Sequence, residues 1–472
     1  MKMCVGGKWI ETGEKIEVLH PYDNSVVDTV PRAGTADVDA ALAAAVRGAK
    51  LMAKLTAWDR YQILRKAAEK LEARTEEFAH TITLEEGKVT AEARVEVGRS
   101  VQTLMLSAEE ARRIHGETVP LDASPGGAGK MGFTLRVPCG VVVAITPFNF
   151  PLNLVVHKAA PAIAAGNAVI IKPPSNTPLS ALKLTELLLE CGMPAEAISC
   201  VTGPGGELGD ALCRDKRVRK ITFTGSVPVG ERICQMAGIK RVTMELGSNS
   251  PIIVMPDADV NKVAEVIAAT GYANAGQVCI STQRVIAQRK VYEDVLAAAK
   301  PKVEGLTTGN PLDEKTKVGP MIREQEAIRV EQWVQEAVKG GGRVVTGGSR
   351  RGAMYAPTVV ADVKPGMRIS CEELFGPVVA FTPFDDVEEV LTLANDSRFG
   401  LAAGVFTESL DTAMKFARRL ETGNIHINWG PQWRGDLMPY GGLKDSGFGK
   451  EGPRYAVEEM TELKMVVFHL KD

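Results

Sequence analysis

Histidine is scarce in this chain of 472 residues, six in all and far apart, and its eight cysteines include no CxxC pair. No zinc site and no disulfide framework is therefore encoded locally, and most of the thiols are expected to be reduced and structural. Charge of either sign is not in excess: 56 Lys and Arg stand against 58 Asp and Glu, a formal net charge of −2. That leaves no positive field to hold nucleic acid or an acidic membrane. The opening MKMCVGGKWIETGEK lacks the apolar core of an export signal, because Lys8, Glu11, Glu14 and Lys15 interrupt it, so a cytoplasmic protein is expected. The most apolar region, Val137 to Ile171, is broken by Asn149, His157, Lys158, Asn167 and several prolines. It reads as buried strands and a helix, not as a membrane span.

What is present is an ordinary soluble composition, 45% apolar and 24% charged, in a length that predicts two or three domains. Residues 36 to 115 carry helical patterning in three runs, the second from about Asp59 to Glu86. From Gly140, β-branched runs alternate with helices: VVVAIT, a helix near Asn153 to Ala165, AVIIK, a helix from Leu179, AISCV, a helix near Glu207, and KITFT. This alternation predicts a parallel α/β sheet. The helix after AVIIK is expected to be capped by Thr177, with Pro178 in its first turn and Gly192 ending it. A second α/β series begins near Gly247, with helices from Val260 and Tyr292 and strands near Val344, Val378 and Ile425. DASPGGAGK, residues 122–130, is an exposed turn or an arm toward another subunit, and LKMVVFHL at the end reads as an edge strand.

Three residues stand out as chemistry-bearing. Cys279 in NAGQVCISTQR lies between two apolar residues, with Gly276 permitting close backbone approach. Glu245 in MELGSNSP sits at a strand end, where open α/β sheets bind ligands. Asn149 in TPFNFPLN is a side-chain amide in an apolar loop, so it needs a backbone or ligand partner.

PFNFP, KPPSNTP, FTGS, MELGSNSP, GQVCIS and EELFGPV, in this order and spacing, resemble the aldehyde dehydrogenase superfamily over essentially the whole chain, and PYGGLKDSGFGKEG resembles it too. The resemblance is nearest to non-acylating, NAD(P)-dependent members acting on short, often anionic aldehydes such as succinate semialdehyde, lactaldehyde, phosphonoacetaldehyde and glyceraldehyde 3-phosphate. It implies a Rossmann-like cofactor domain over residues 1–118 and 139–246, an α/β catalytic domain over 247–446, and a small β oligomerisation arm from 119–138 and 447–472. It implies a homodimer or homotetramer and no metal. It casts Cys279 as nucleophile, Asn149 with the Cys279 N–H as oxyanion holder, and Glu245 as the base that activates water.

For the cofactor, the resemblance implies Lys172 and Ser175 at the adenosine ribose, Gly225 and Ser226 at a helix start facing the pyrophosphate, Thr146, Pro147 and Phe148 along the cleft, and Glu373 with Phe375 at the nicotinamide end. The usual GxGxxG fingerprint is absent, as in the variant dinucleotide fold of these enzymes. Many NAD-preferring members carry glutamate where this chain has Ser175, so NADP is expected to be preferred and NAD accepted. For the substrate, Arg434 and Arg99 are expected to grip an anionic group, with Phe150, Tyr440, Trp429 and Trp433 walling the tunnel. Val278 stands where some phosphate- or phosphonate-handling relatives carry another arginine. His157 is expected to be structural. The alternatives are an uncharged aldehyde such as lactaldehyde, an acylating enzyme that uses coenzyme A, against which Glu245 argues, and a cysteine acyl hydrolase, for which no histidine lies beside the motifs.

Overall fold

Val141–Ile145, Ala168–Lys172, Ile198–Cys200, Lys220–Thr224 and Arg241–Glu245 are short, mostly buried, β-branched runs, and a computed structural model pairs them in parallel. The structure describes residues 1–470; Lys471 and Asp472, which end the expected 447–472 segment, lie outside the described residues. The chain enters this sheet at its middle strand, Val141–Ile145, and moves outward through Ala168–Lys172 and Ile198–Cys200. It then returns to add Lys220–Thr224 and Arg241–Glu245 on the other side. Strand order thus reverses between Val141–Ile145 and Lys220–Thr224, the switch point at which doubly wound sheets open a ligand crevice. Met3–Val5 and Lys8–Ile10 complete one edge, and Gly447–Phe448 pairs antiparallel to Arg241–Glu245 at the other.

A second, seven-stranded sheet runs in the order Arg343–Thr346, Thr358–Ala361, Val378–Phe384, Arg284–Gln288, Pro251–Val254, Ala402–Phe406, Asn424–Ile427. All its pairings are parallel except that of Arg343–Thr346. The chain passes from the first sheet to the second through residues 246–250, directly after Glu245. The carboxyl ends of the first sheet and the helix-to-strand loop before Arg284, which carries Cys279, therefore meet at one cleft. A third sheet joins Thr461–His469 antiparallel to Lys130–Pro138, which also holds Thr118–Val119. The terminal strand is its edge, with Leu463, Met465, Val467 and Phe468 exposed. Among the described residues no helix is long and apolar enough to cross a membrane, and all eight cysteines are free.

Several expectations are corrected. The run from Asp59 to Glu86 is two helices, Ala57–Ala73 and Thr75–Glu86, parted at Arg74, whose φ of −110° leaves the helical region. Thr177 does not cap the helix Leu179–Glu190; the buried Glu85 carboxylate does, accepting the N–H groups of Leu179 at 2.6 Å and Ser180 at 2.9 Å. An acceptor 94 residues away replaces the local one, because a carboxylate answers both orphan donors and the helix dipole at once. The 447–472 segment is also divided. Gly447–Phe448 belongs to the first sheet and the helix Pro453–Glu459 packs on the helices Thr90–Ala111 and Asn153–Ala164, leaving Thr461–His469 to the arm. Residues 122–130 start within a short 3₁₀ helix, Leu121–Ala123, and turn, exposed except at Gly127, into the strand Lys130–Pro138.

Candidate active site

A cavity of about 680 Å³ opens at the switch point, and its lining includes Cys279, Asn149, Glu245, Arg434 and Tyr440. Cys279 sits in the loop that links the helix Val260–Gly271 to the strand Arg284–Gln288. Its Sγ lies 3.3 Å from the Tyr440 hydroxyl, and burial pushes its thiol up to about 11. A neutral thiol therefore waits in the cleft, with the Tyr440 hydroxyl favouring the thiolate.

The backbone just before Cys279 is left-handed over three residues, Asn274 (φ 50°), Ala275 (φ 53°) and Gly276 (φ 70°). At Gly276 the Gly376 carbonyl would lie 2.1 Å from a Cβ, so only glycine fits. Such backbone persists only when its surroundings hold it, and here a ring of hydrogen bonds does so. The Asn149 amide donates to the Gln277 carbonyl at 2.8 Å, the Gln277 N–H donates to the Asn274 carbonyl at 3.0 Å, and the Asn274 amide donates to the Asn149 carbonyl at 3.2 Å. Asn274 is held in turn from behind, its N–H by Glu92 and its amide by Glu86, both at 2.9 Å. Burial raises Glu92 to about 7 and Glu86 well above the usual carboxylate range. Lys88, paired with Glu96, donates to the same Asn149 carbonyl at 2.7 Å. Asn149 and Cys279 are thus tied to one another rather than separately to the scaffold.

Glu245 ends its strand with both carboxylate oxygens buried and unpartnered. Burial first, then the neighbouring Glu451, raises its proton affinity, while Arg434, Lys158 and Lys450 oppose the rise. Gly441 lies so close that a Cβ there would be 2.8 Å from a Glu245 oxygen. An unsatisfied buried carboxyl facing a cavity is costly, and a substrate water is a partner that would satisfy it.

Pro147, Phe148, Gly225, Ser226, Glu373 and Phe375 line the same cavity. Ser226 starts the eleven-residue helix Val227–Ala237. Phe375, held at φ 50°, meets Phe148 edge-on at 6.0 Å, and Glu373 accepts the Ser248 N–H at 2.9 Å. Lys172 and Thr146 lie on adjacent strand ends, the Thr146 N–H bonding the Lys172 carbonyl at 3.3 Å. Lys172 is buried, which pulls it down to about 8, and its ammonium has one partner, the Pro173 carbonyl at 2.8 Å. The Thr146 hydroxyl is buried without a partner, and Ser175 donates to the Gly203 carbonyl at 2.9 Å. Lys172, Thr146 and Ser175 are not among the residues lining this cavity; Lys172 lies beside Gly205, which starts the helix Gly205–Arg214, and under-satisfied donors next to a helix start at a switch point fit a dinucleotide.

The two arginines lie at the cavity but not as free forks. Arg434 is buried, donates to Glu451 at 3.0 Å and to His157 Nδ1 at 3.1 Å, and lies 3.9 Å over the Tyr440 ring. Its buried Nε is the one nitrogen of the three without a partner. Arg99 donates to Asp436 at 2.8 Å. His157, in the helix Asn153–Ala164, is buried and links Asp436 to Arg434. Phe150 lines the cavity with the Lys88 ammonium 3.9 Å from its ring centre, and Trp433 lines it too, but Trp429 is exposed and not among the lining residues. Sequence reasoning does not single out Lys88, Glu86, Glu92, Asn274 or Gln277; NAGQ beside Cys279 is a local signal for the last two alone. Among the described residues no group of three or more His, Cys, Asp or Glu gathers as a metal site.

Two α/β sheets that meet at a dinucleotide-fitting cleft are the frame of an oxidoreductase. The chain belongs to the aldehyde dehydrogenase family, whose model matches residues 9–466. A 3-sulfolactaldehyde dehydrogenase from Priestia aryabhattai is 48% identical over 468 residues, covering 99% of this chain and 98% of that protein. The crystal structure of aldehyde dehydrogenase 21 from Physcomitrella patens, in complex with the reaction product succinate, matches with a TM-score of 0.96 and 40% identity, covering 99% of this chain and 98% of that one. That of a glyceraldehyde-3-phosphate dehydrogenase from Methanocaldococcus jannaschii, complexed with NADP, matches with a TM-score of 0.93 and 36% identity, covering 97% and 100%.

Proposed function

We propose that this chain oxidises a small anionic aldehyde to its carboxylic acid, with NADP as the preferred acceptor and NAD accepted. The observation that carries the reading is a single cavity lined by Cys279, Asn149, an unpartnered Glu245 and the dinucleotide-fitting residues Gly225, Ser226, Glu373 and Phe375. The Cys279 thiolate attacks the aldehyde carbon, forming a C–S bond and moving the carbonyl pair onto oxygen. The free Asn149 amide N–H and the Cys279 N–H hold that oxyanion. Bound beside Lys172, Ser226, Glu373 and Phe375, the dinucleotide supplies the two-electron acceptor. Cys279 then carries a thioester, and Glu245 takes a proton from the water that attacks it. Collapse breaks the C–S bond, releases the acid and restores the thiolate.

Burial raises Glu245, so it ionises only as pH rises through its elevated pKa, and hydrolysis falls away on the acid side. Ser175 presents a hydroxyl bonded to Gly203 and no negative charge to a ribose 2′-phosphate, which favours NADP. The sulfonate substrate named for the Priestia protein and the succinate bound to the Physcomitrella protein both support an anionic aldehyde. Free cysteines fit a reducing cytoplasm, and the exposed apolar edge strand Thr461–His469 fits a homodimer or homotetramer. Glu245 argues against a coenzyme A acyltransfer, and His157, locked between Asp436 and Arg434, against a Cys–His hydrolase. The test is Arg434→Ala: KM for succinate semialdehyde is expected to rise at least tenfold more than KM for propanal. Equal effects would remove Arg434 from substrate binding.

A further inference from the structure

One polar network backs the substrate side of the cavity: Arg99, Arg434 and Glu451 line it, and Asp436, His157 and Lys158 link them from behind. Arg99 donates to Asp436 at 2.8 Å, His157 Nε2 lies 3.1 Å from the same Asp436 oxygen, and Arg434 reaches His157 Nδ1 at 3.1 Å. Arg434 also donates to Glu451 at 3.0 Å, and Glu451 pairs with Lys158. The protonation states follow from the donors. A guanidinium only donates, so His157 Nδ1 must accept and its hydrogen sits on Nε2, given to Asp436. His157 is therefore neutral, which agrees with burial and the Arg434 charge pulling it down to about 4. Burial works against ionising Glu451 and Asp436, yet Lys158 and Arg434 hold the first low, and His157 and Arg99 the second. The network then holds three cations against two carboxylates, one surplus positive charge. Lys450, whose ammonium bonds the Gly441 carbonyl at 2.9 Å, is the other cation close to Glu245, and the two offset each other when Glu245 ionises.

We infer that this site accepts an aldehyde carrying a single negative charge, a sulfonate or carboxylate, and rejects a doubly charged phosphate, with Asp436 as the specificity-determining residue. Geometry points the same way. Two of the five N–H donors of Arg434 are committed, one on each terminal nitrogen, and its Nε is buried, so it cannot offer a substrate the free fork that grips two oxygens of a phosphate at once. Asp436 acts at a distance, neutralising Arg99 and fixing the His157 tautomer that faces Arg434. The cavity's other lining cations, Lys88 and Arg329, are paired with Glu96 and Glu326, so a second substrate charge has no counter-charge left in a buried network, where unbalanced charge is expensive. This inference rests on the proposed aldehyde oxidation.

The experiment compares kcat/KM for 3-sulfolactaldehyde and glyceraldehyde 3-phosphate, two 2-hydroxy aldehydes that differ in charge, from pH 8 to pH 6. A phosphate monoester loses its second proton near pH 6, so about 1% of it is singly charged at pH 8 and about half at pH 6. The sulfonate is expected to lead by at least about a hundredfold at pH 8 and about twofold at pH 6; Glu92 and Glu373, which line the cavity and are raised to about 7 by burial, ionise over the same range and repel the dianion more, so they widen the ratio in the same direction. Asp436→Asn keeps the shape and removes one negative charge. It should shrink the pH 8 ratio at least tenfold, whereas a merely structural role would lower both substrates together. Equal kcat/KM at pH 8, a ratio independent of pH, or turnover of neutral propanal alone would overturn the inference, and the wild-type series decides even if Asp436→Asn does not fold. Oxidation of no aldehyde at all would overturn the proposed function itself.

Discussion

Replacing Asn274 by alanine tests whether the hydrogen-bonded ring, and not the scaffold at large, sets the distance between Asn149 and Cys279. The substitution removes two donations, to Glu86 at 2.9 Å and to the Asn149 carbonyl at 3.2 Å. Glu86 has no other side-chain partner, since its second oxygen is already unsatisfied, so a buried carboxyl loses its last bond, a cost of about 1–3 kcal/mol. Alanine at φ 50° adds about 1–2 kcal/mol, because asparagine tolerates the left-handed region and alanine does not. The Asn149 carbonyl keeps its bond to Lys88, so the loop loosens without collapsing. A shift on the order of 1 Å between nucleophile and oxyanion donor costs about a hundredfold in rate. Steady-state kinetics with succinate semialdehyde at saturating NADP should show kcat down by about ten- to a hundredfold with KM changed less than threefold. Asn274→Gly, free of the backbone strain, should recover stability on thermal unfolding but not kcat. Wild-type kcat in both variants would refute the positioning argument.

Tyr440→Phe removes the hydroxyl that favours the Cys279 thiolate, so the thiol, already pushed up to about 11 by burial, should rise further. Iodoacetamide should then alkylate Cys279 at least tenfold more slowly at pH 9, one hydrogen bond to a charged group being worth about 1.5–3 kcal/mol. Ser175→Glu places a carboxylate where the 2′-phosphate is expected, and should lower kcat/KM for NADP at least tenfold while leaving that for NAD within about threefold.

Local signals carried the fold further than the site. The alternation from VVVAIT to KITFT gave the parallel sheet and its helices, since β-branched runs buried on both faces have few other uses. Cys279, Glu245 and Asn149 stood at element ends, and the structure brings all three to one cavity. What was not legible depends on partners far along the chain. Glu85 caps a helix 94 residues away, Glu86 holds Asn274 across 188 residues, and Asp436 neutralises Arg99 across 337. Each partner is a charged residue whose burial no sequence pattern announces, so Glu86 and Glu92 read as an ordinary helical stretch. Arg434 and Arg99 both line the cavity, but their pairing, which decides how much charge they offer a ligand, required the fold.

The account turns on a covalent intermediate at Cys279 that only Glu245 resolves. Glu245→Gln, incubated with succinate semialdehyde and NADP and read by intact-mass spectrometry, should accumulate one succinyl group on the chain and release a single equivalent of NADPH. The adduct should be absent in Cys279→Ser. Sustained turnover with no adduct in Glu245→Gln, or oxidation by Cys279→Ser at the wild-type rate, would contradict it.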